Sequence, residues 1–189
     1  MEPREAEDLI AEAVSVMDLL FGPRRSAEII SGRPVRRYKR EDPAFTTYRV
    51  LVKPFMEASG RRYTGPDACI GEAETAVSCA AANTPLDDAY RRMISAMRES
   101  RVGKGISTDG FTWIFAAGNR TEAWLDLRPY YIEALDRKRF RVAVPAEAED
   151  LILYSEIMGG TGNAWRKIRI APETREGTSA GDTPLSSGL

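Results

Sequence analysis

Two short apolar runs, Pro66–Ile70 and Thr75–Ala81, flank the polar turn Gly71-Glu72-Ala73-Glu74, and an amphipathic segment and two further β-rich runs follow. Runs of this length bounded by turn residues predict a β-hairpin. Asn83-Thr84-Pro85 has the chemistry of a helix start, and Leu86, Ala89, Tyr90, Met93, Ile94 and Met97 recur every three or four residues, so one face is buried. This helix is expected to end near Arg101-Val102-Gly103. Gly105-Ile106-Ser107-Thr108-Asp109-Gly110 then leads through an Asp-Gly turn into Phe111–Ala116, which predicts two more strands. Strands before and after an amphipathic helix predict an α/β fold, a mixed β-sheet flanked by helices.

The flanks of this centre are read in the same way. From Glu5 to about Phe21, Ala6, Leu9, Ile10, Ala13, Val14, Met17 and Leu20 fall at helical spacing, and Gly22-Pro23 stops the pattern. The next stretch reads as a basic connector carrying Arg24, Arg25, Arg33, Arg36, Arg37, Lys39 and Arg40, the densest positive segment of the chain. Phe45–Phe55 is rich in β-branched and aromatic residues and predicts a strand, with a turn region over Met56–Gly65. Trp124–Asp126 predicts a short strand, Arg128 to about Leu135 a helix starting at Pro129, and Pro145–Met158 a last helix ended by Gly159-Gly160. From residue 173 the chain is rich in Gly, Ser, Thr and Pro and is expected to be disordered.

Composition narrows the chemistry. Histidine is absent, which excludes His-dependent triads, His-ligated zinc and imidazole acid–base catalysis. The 27 basic and 28 acidic side chains nearly cancel, so any nucleic-acid binding has to be local. Cys69 and Cys79 are too few for a disulfide framework and read as small buried residues. No apolar run approaches the roughly 20 residues that span a bilayer, and the start Met1-Glu2-Pro3-Arg4-Glu5 lacks the pattern of a signal peptide. The expected compartment is the cytoplasm, with no membrane partner.

The order Pro66-Asp67, hairpin, Ala76-Val77-Ser78-Cys79-Ala80-Ala81, helix, then Thr108-Asp109-Gly110-Phe111-Thr112-Trp113 resembles the PD-(D/E)XK nuclease superfamily. Within it the chain is similar, over roughly residues 5–135, to the N-terminal nuclease region of type I restriction enzyme R subunits. In that family a Pro-Asp opens one strand, an acid-x-Lys triplet sits on the next, and a helix follows. A further strand then begins after a Thr-Asn-Gly or Thr-Asp-Gly turn. The resemblance implies a single restriction-endonuclease-like domain over residues 1–172, with 173–189 as the disordered tail.

It also implies a catalytic site at Asp67, Ser78 and Ala80, with Asp67 as the ligand of a Mg²⁺ ion. The chemistry needs a hard cation held by carboxylates and a lysine near the phosphate. Asp67 supplies the first acid, but Ser78 stands at the second acid position and Ala80 at the lysine position, so the site is degenerate. Glu72, Glu74, Glu12, Asp87 or Asp88, with Lys53 or Lys104, are the charged residues from which a repaired site would be drawn. If the family register holds, Asp67 shares a sheet face with Ser78, Ala80 and Cys69, while Cys79 lies on the other. Asp67 also reads as a turn cap, Thr108-Asp109-Gly110 as a hairpin turn, and Trp113, Trp124 and Phe115 as core or half-buried sheet residues.

Three functions are therefore expected to compete. The first is a catalytically degenerate nuclease-fold protein that binds DNA through Arg33, Arg36, Arg37, Lys39 and Arg40, or docks a protein partner, in restriction, defence or DNA metabolism. It needs no cofactor. The second is an active Mg²⁺-dependent endonuclease with displaced catalytic residues, and the third a structural or assembly protein.

Overall fold

A computed structural model describes the chain except residues 36–40, 61–64, 68, 71–74, 119, 148 and 160–189, and describes Cys69, Ile70 and Glu122 by backbone alone. The elements in order are α1 (Pro3–Phe21), α2 (Pro23–Ile30), α3 (Pro43–Thr47), a π-helical turn (Tyr48–Val52) and α4 (Lys53–Ala58). Then come β1 (Cys69–Ile70), β2 (Thr75–Cys79), α5 (Asp87–Glu99), β3 (Lys104–Thr108), β4 (Thr112–Ala117), β5 (Arg120–Asp126), α6 (Arg128–Lys138) and α7 (Glu149–Met158). The expected tail 173–189 lies outside the described residues.

The five strands form one mixed sheet in chain order. β1 and β2 make the antiparallel hairpin, α5 carries the chain over to β3, which runs parallel to β2, and β4 and β5 return antiparallel. The fold is α/β, as the alternation of strand and helix signals implies. All five residues of β2 are buried, which follows from helices lying on both faces of the sheet.

On one face α5 packs Met93 and Met97 against Ala76 and Ala116. Gly105 makes this closeness attainable, since a Cβ there would lie 2.7 Å from the Met93 sulfur and would also meet Met97. The other face carries the main core, where Val77, Cys79, Ile106, Trp113, Phe115 and Leu125 meet apolar residues of α1, α4 and α7. Trp113 is fully buried there, edge-on to Phe55 (6.1 Å) and Tyr154 (5.0 Å). Each such ring pair contributes about 0.5–1.5 kcal/mol beyond area burial.

Several expectations are corrected. Phe45–Phe55 is helical, not a strand: Asp42 caps α3 by accepting from the Ala44 N–H (2.8 Å) and the Phe45 N–H (3.3 Å), with Pro43 at the first helical position. Thr47, Val50, Leu51 and Phe55 are buried at helical spacing, so packing outweighs the β-favouring composition. Pro54 cannot donate a backbone hydrogen bond, and the helix widens into its π turn just before it. The first part of the basic connector is also helical, because Gly22 at φ 80° ends α1 and Pro23 opens α2, which buries Ser26, Ile29 and Ile30.

α5 starts at Asp87 rather than at an Asn83 cap, and α7 starts at Glu149 rather than Pro145. Trp113 and Phe115 are core residues as expected, but Trp124 is 68% exposed on the edge strand β5. Among the described residues no helix is long and apolar enough to cross a membrane.

Gly110, in the turn between β3 and β4, combines φ 89° with a Cβ position 2.6 Å from Leu51 Cβ. Gly110→Ala is expected to lower unfolding free energy by about 2–4 kcal/mol through backbone strain and overpacking. Gly118→Ala, also at positive φ but with open space around it, is expected to lose about 1 kcal/mol, and urea unfolding of both variants checks the difference.

Candidate functional site at the end of strand β2

The C-terminal end of β2 holds Ser78 and Ala80, with Pro66-Asp67 beside it, the residues that the resemblance singles out. Ala80 N–H donates to Thr108 O on the parallel neighbour (2.8 Å), and Cys79 N–H donates to Pro66 O (2.8 Å), which holds Pro66-Asp67 beside this end. Asp67 is exposed, Ser78 is wholly buried and Ala80 is 8% exposed. The ladder pairs Cys69 with Val77, one residue out of phase with the Cys79-to-Pro66 bond. Cys69 therefore takes its register with Val77 and Cys79 and not with Ser78 and Ala80, which corrects the face expected for it.

An arginine unmarked by any motif completes this end. Arg92 Nε donates to Ser78 Oγ (3.3 Å) and its Nη2 to the Cys79 carbonyl (3.1 Å). The guanidinium thus engages the hydroxyl that the resemblance sets at the second acid position. It borders a cleft of about 530 Å³ with Ala80, Ala44, Asp87, Asp88 and Arg91. A fixed positive charge bonded to the would-be ligand does not fit a divalent cation. No group of three acid or cysteine side chains suited to a metal occurs among the described residues.

The other charged candidates do not converge here. Asp88 pairs with Arg91 (3.0 Å) and Lys53 with Glu57 (3.6 Å). Lys104 pairs with Thr75 at the far end of β2, three residues and about 10 Å from Ser78. Glu12 is exposed on α1, while Glu72 and Glu74 lie outside the described residues.

Arg33 and Val35, in the described part of the basic stretch, reach this end. Val35 N–H donates to Ala82 O (3.2 Å), and Asn83 Nδ2 donates to the carbonyls of Ile29 (2.8 Å) and Arg33 (2.7 Å). Asn83 adopts φ 62° to do so, a conformation that asparagine tolerates. Arg33 is exposed and shares Glu28 with Arg24 and Arg25, at 3.2, 3.5 and 3.1 Å. The hydrogen bond from Arg25, together with the charges of Arg33 and Arg24, holds the Glu28 carboxyl below its usual range. Arg36, Arg37, Lys39 and Arg40 lie outside the described residues.

Asp109 is a structural residue rather than a reactive one. Its carboxylate accepts the backbone N–H groups of Asn83 (2.9 Å), Phe111 (3.0 Å) and Thr112 (2.7 Å). Burial pushes its pKa up, against those bonds and the charge of Arg128. A second cleft, of about 600 Å³, adjoins the first through Thr84, Pro85, Asp87 and Arg91 and is walled by Tyr90, Ile114 and the exposed Trp124. Sequence reasoning missed Arg92 because a charge beside the buried Ala89 and Met93 reads as solvent-facing. It missed the bridging of Asn83 because Asn83-Thr84-Pro85 is also an ordinary helix-start signal.

No family model, no curated protein and no solved structure is found to match this chain.

Asp109→Ala leaves three inward-facing N–H groups without an acceptor and is expected to cost about 2–4 kcal/mol in urea unfolding. Because the folded-state pKa of Asp109 is raised, the folded chain binds that proton more tightly than the unfolded chain does. The group's contribution to stability therefore declines as pH rises above the ordinary value of 3.8. The stability difference between wild type and Asp109→Asn, measured by denaturation at a series of pH values, should fall in that direction.

Proposed function

We propose that this chain is a catalytically degenerate nuclease-fold protein that binds nucleic acid, duplex DNA in the first instance, without cutting it. Its setting would be restriction, defence or DNA metabolism. The observation that carries this reading is the pair of basic elements at one end of β2. Arg92 lies over Ser78 and Cys79, and Arg33 and Val35 are bonded to Asn83 and Ala82. Arginines can hold phosphate oxygens by charge and forked hydrogen bonds with no metal between them.

The layout of the chain supports the same reading. The antiparallel hairpin, the helix and the parallel strand stand in the order that the resemblance implies. What hydrolysis would require is absent from Ser78 and Ala80, and the neighbouring charge is that of a guanidinium. With a net charge of −1, affinity should rest on this local basic cluster and respond steeply to salt.

Fluorescence anisotropy with a short labelled duplex tests the proposal. Wild type should bind at low salt, and the double variant Arg36→Ala/Arg37→Ala should bind about tenfold or more weakly, with a salt slope reduced by about two. Plasmid incubated with the protein and Mg²⁺ or Mn²⁺ should stay intact. Absence of duplex binding at low salt would overturn the nucleic-acid reading, and cleavage that disappears in Asp67→Ala would overturn the loss of hydrolysis.

A further inference from the structure

One row across the sheet consists of Ser78, Ser107, Ile114 and Trp124. Directly opposed residues share a face, so the Trp124 indole lies on the same side of the sheet as Ser78 and helix α5. α5 covers that side over β2 and β3. Beside it, over β4 and β5, Thr112 and Ile114 line the cleft of about 600 Å³ that Trp124 borders, with 68% of the tryptophan exposed. A hollow of this size suits one small planar ligand or one unit of a polymer.

A β-bulge shapes this cleft. The register of β4 and β5 steps from Phe115 opposite Ala123 to Ala116 opposite Thr121. Thr121, three residues from Trp124, is thereby returned to the same face. The Thr121 and Tyr90 hydroxyls hydrogen-bond at 3.1 Å, which fixes a second aromatic ring in the wall. An exposed ring standing alone is ordinary. Here an uncovered indole and a held phenol border one hollow, with the hydroxyl of Thr112 and the carboxylate of Asp87 in its lining.

The neighbouring charges indicate the occupant. The cleft shares Arg91 with the adjoining one that Arg92 borders. Arg91 pairs with Asp88 at the surface (3.0 Å), where such a pair is weak, so its guanidinium is available to a phosphate. Asp87 and Asp88 balance Arg91 and Arg92, and a phosphate is therefore held here by forked hydrogen bonds more than by a net field. A ring to stack on the indole, polar edges for Thr112 and Asp87, and a phosphate for the guanidinium are the parts of a nucleotide. A base inside a duplex offers no free face, so the base has to be unpaired. We propose that the cleft beside Trp124 takes one unpaired base of single-stranded DNA, stacked on the indole with its phosphate at Arg91. This rests on the nucleic-acid reading and adds to it the form of the strand bound at this place.

Fluorescence anisotropy of the full chain with a labelled single strand of thymidines, and with a labelled duplex, tests this. Wild type should bind the single strand at low salt. Trp124→Ala should weaken that binding about tenfold or more while duplex binding changes by less than about twofold, and Trp124→Phe, which keeps a ring to stack, should restore most of the loss. Thermal unfolding of both variants, expected to match wild type, controls for the fold. Free thymidine monophosphate should bind at least about a hundredfold more weakly than the strand, whose other phosphates reach further basic groups. Equal affinity for the free nucleotide would overturn the strand as the occupant. Single-strand binding that is unmoved by Trp124→Ala, or that Trp124→Phe fails to restore, would overturn the inference, and duplex binding that still depends on Arg36 and Arg37 would then leave the nucleic-acid reading standing. Absence of binding to either form of DNA would overturn both.

Discussion

Three backbone N–H groups converge on the carboxylate of Asp109, and much of the site's geometry follows from that convergence. Two of the bonds shape the turn that sends β3 into β4, and the third reaches the Asn83 backbone just beyond the end of β2. Asn83 in turn spans to Ile29 and Arg33, so one buried acid fixes the sheet, the β2–α5 junction and the end of α2 relative to one another. A carboxylate suits this place despite the cost of burying it, because ionised it offers two acceptor oxygens to converging donors. The raised pKa of Asp109 is the mark of that compromise.

The legible parts of the sequence were those in which local pattern and burial agree. The hairpin, α5, β3, β4 and α6 were readable because their apolar spacing reports the same faces that the sheet and helices cover. Phe45–Phe55 was misread because its β-branched residues are buried at helical spacing, a preference imposed by the core and not by the segment itself. The second helix was hidden by proline: Pro23 reads as a breaker when it follows a helix, yet it is also the residue best suited to start the next one.

The candidate site was legible only in outline. Asp67, Ser78 and Ala80 were named from their order along the chain, and the Pro66–Cys79 bond holds the first of these beside the strand carrying the other two. Arg92 could not be read, since its meaning comes from crossing space from α5 to the end of β2. Its presence changes the electrostatics at that end. A catalytic nuclease site concentrates negative charge to hold a cation, whereas Ser78 here shares its hydroxyl with a positive group. A bound phosphate would be favoured by the same field that disfavours a metal.

Under the proposed function the cation site of the resembled nucleases is lost from this end of β2, and anomalous diffraction from crystals soaked in Mn²⁺ tests that loss. No manganese peak is expected within about 2 Å of the Asp67 carboxylate, with Arg92 still bonded to Ser78. A well-occupied peak coordinated by Asp67 and a second acid, with the Arg92 guanidinium displaced, would contradict it.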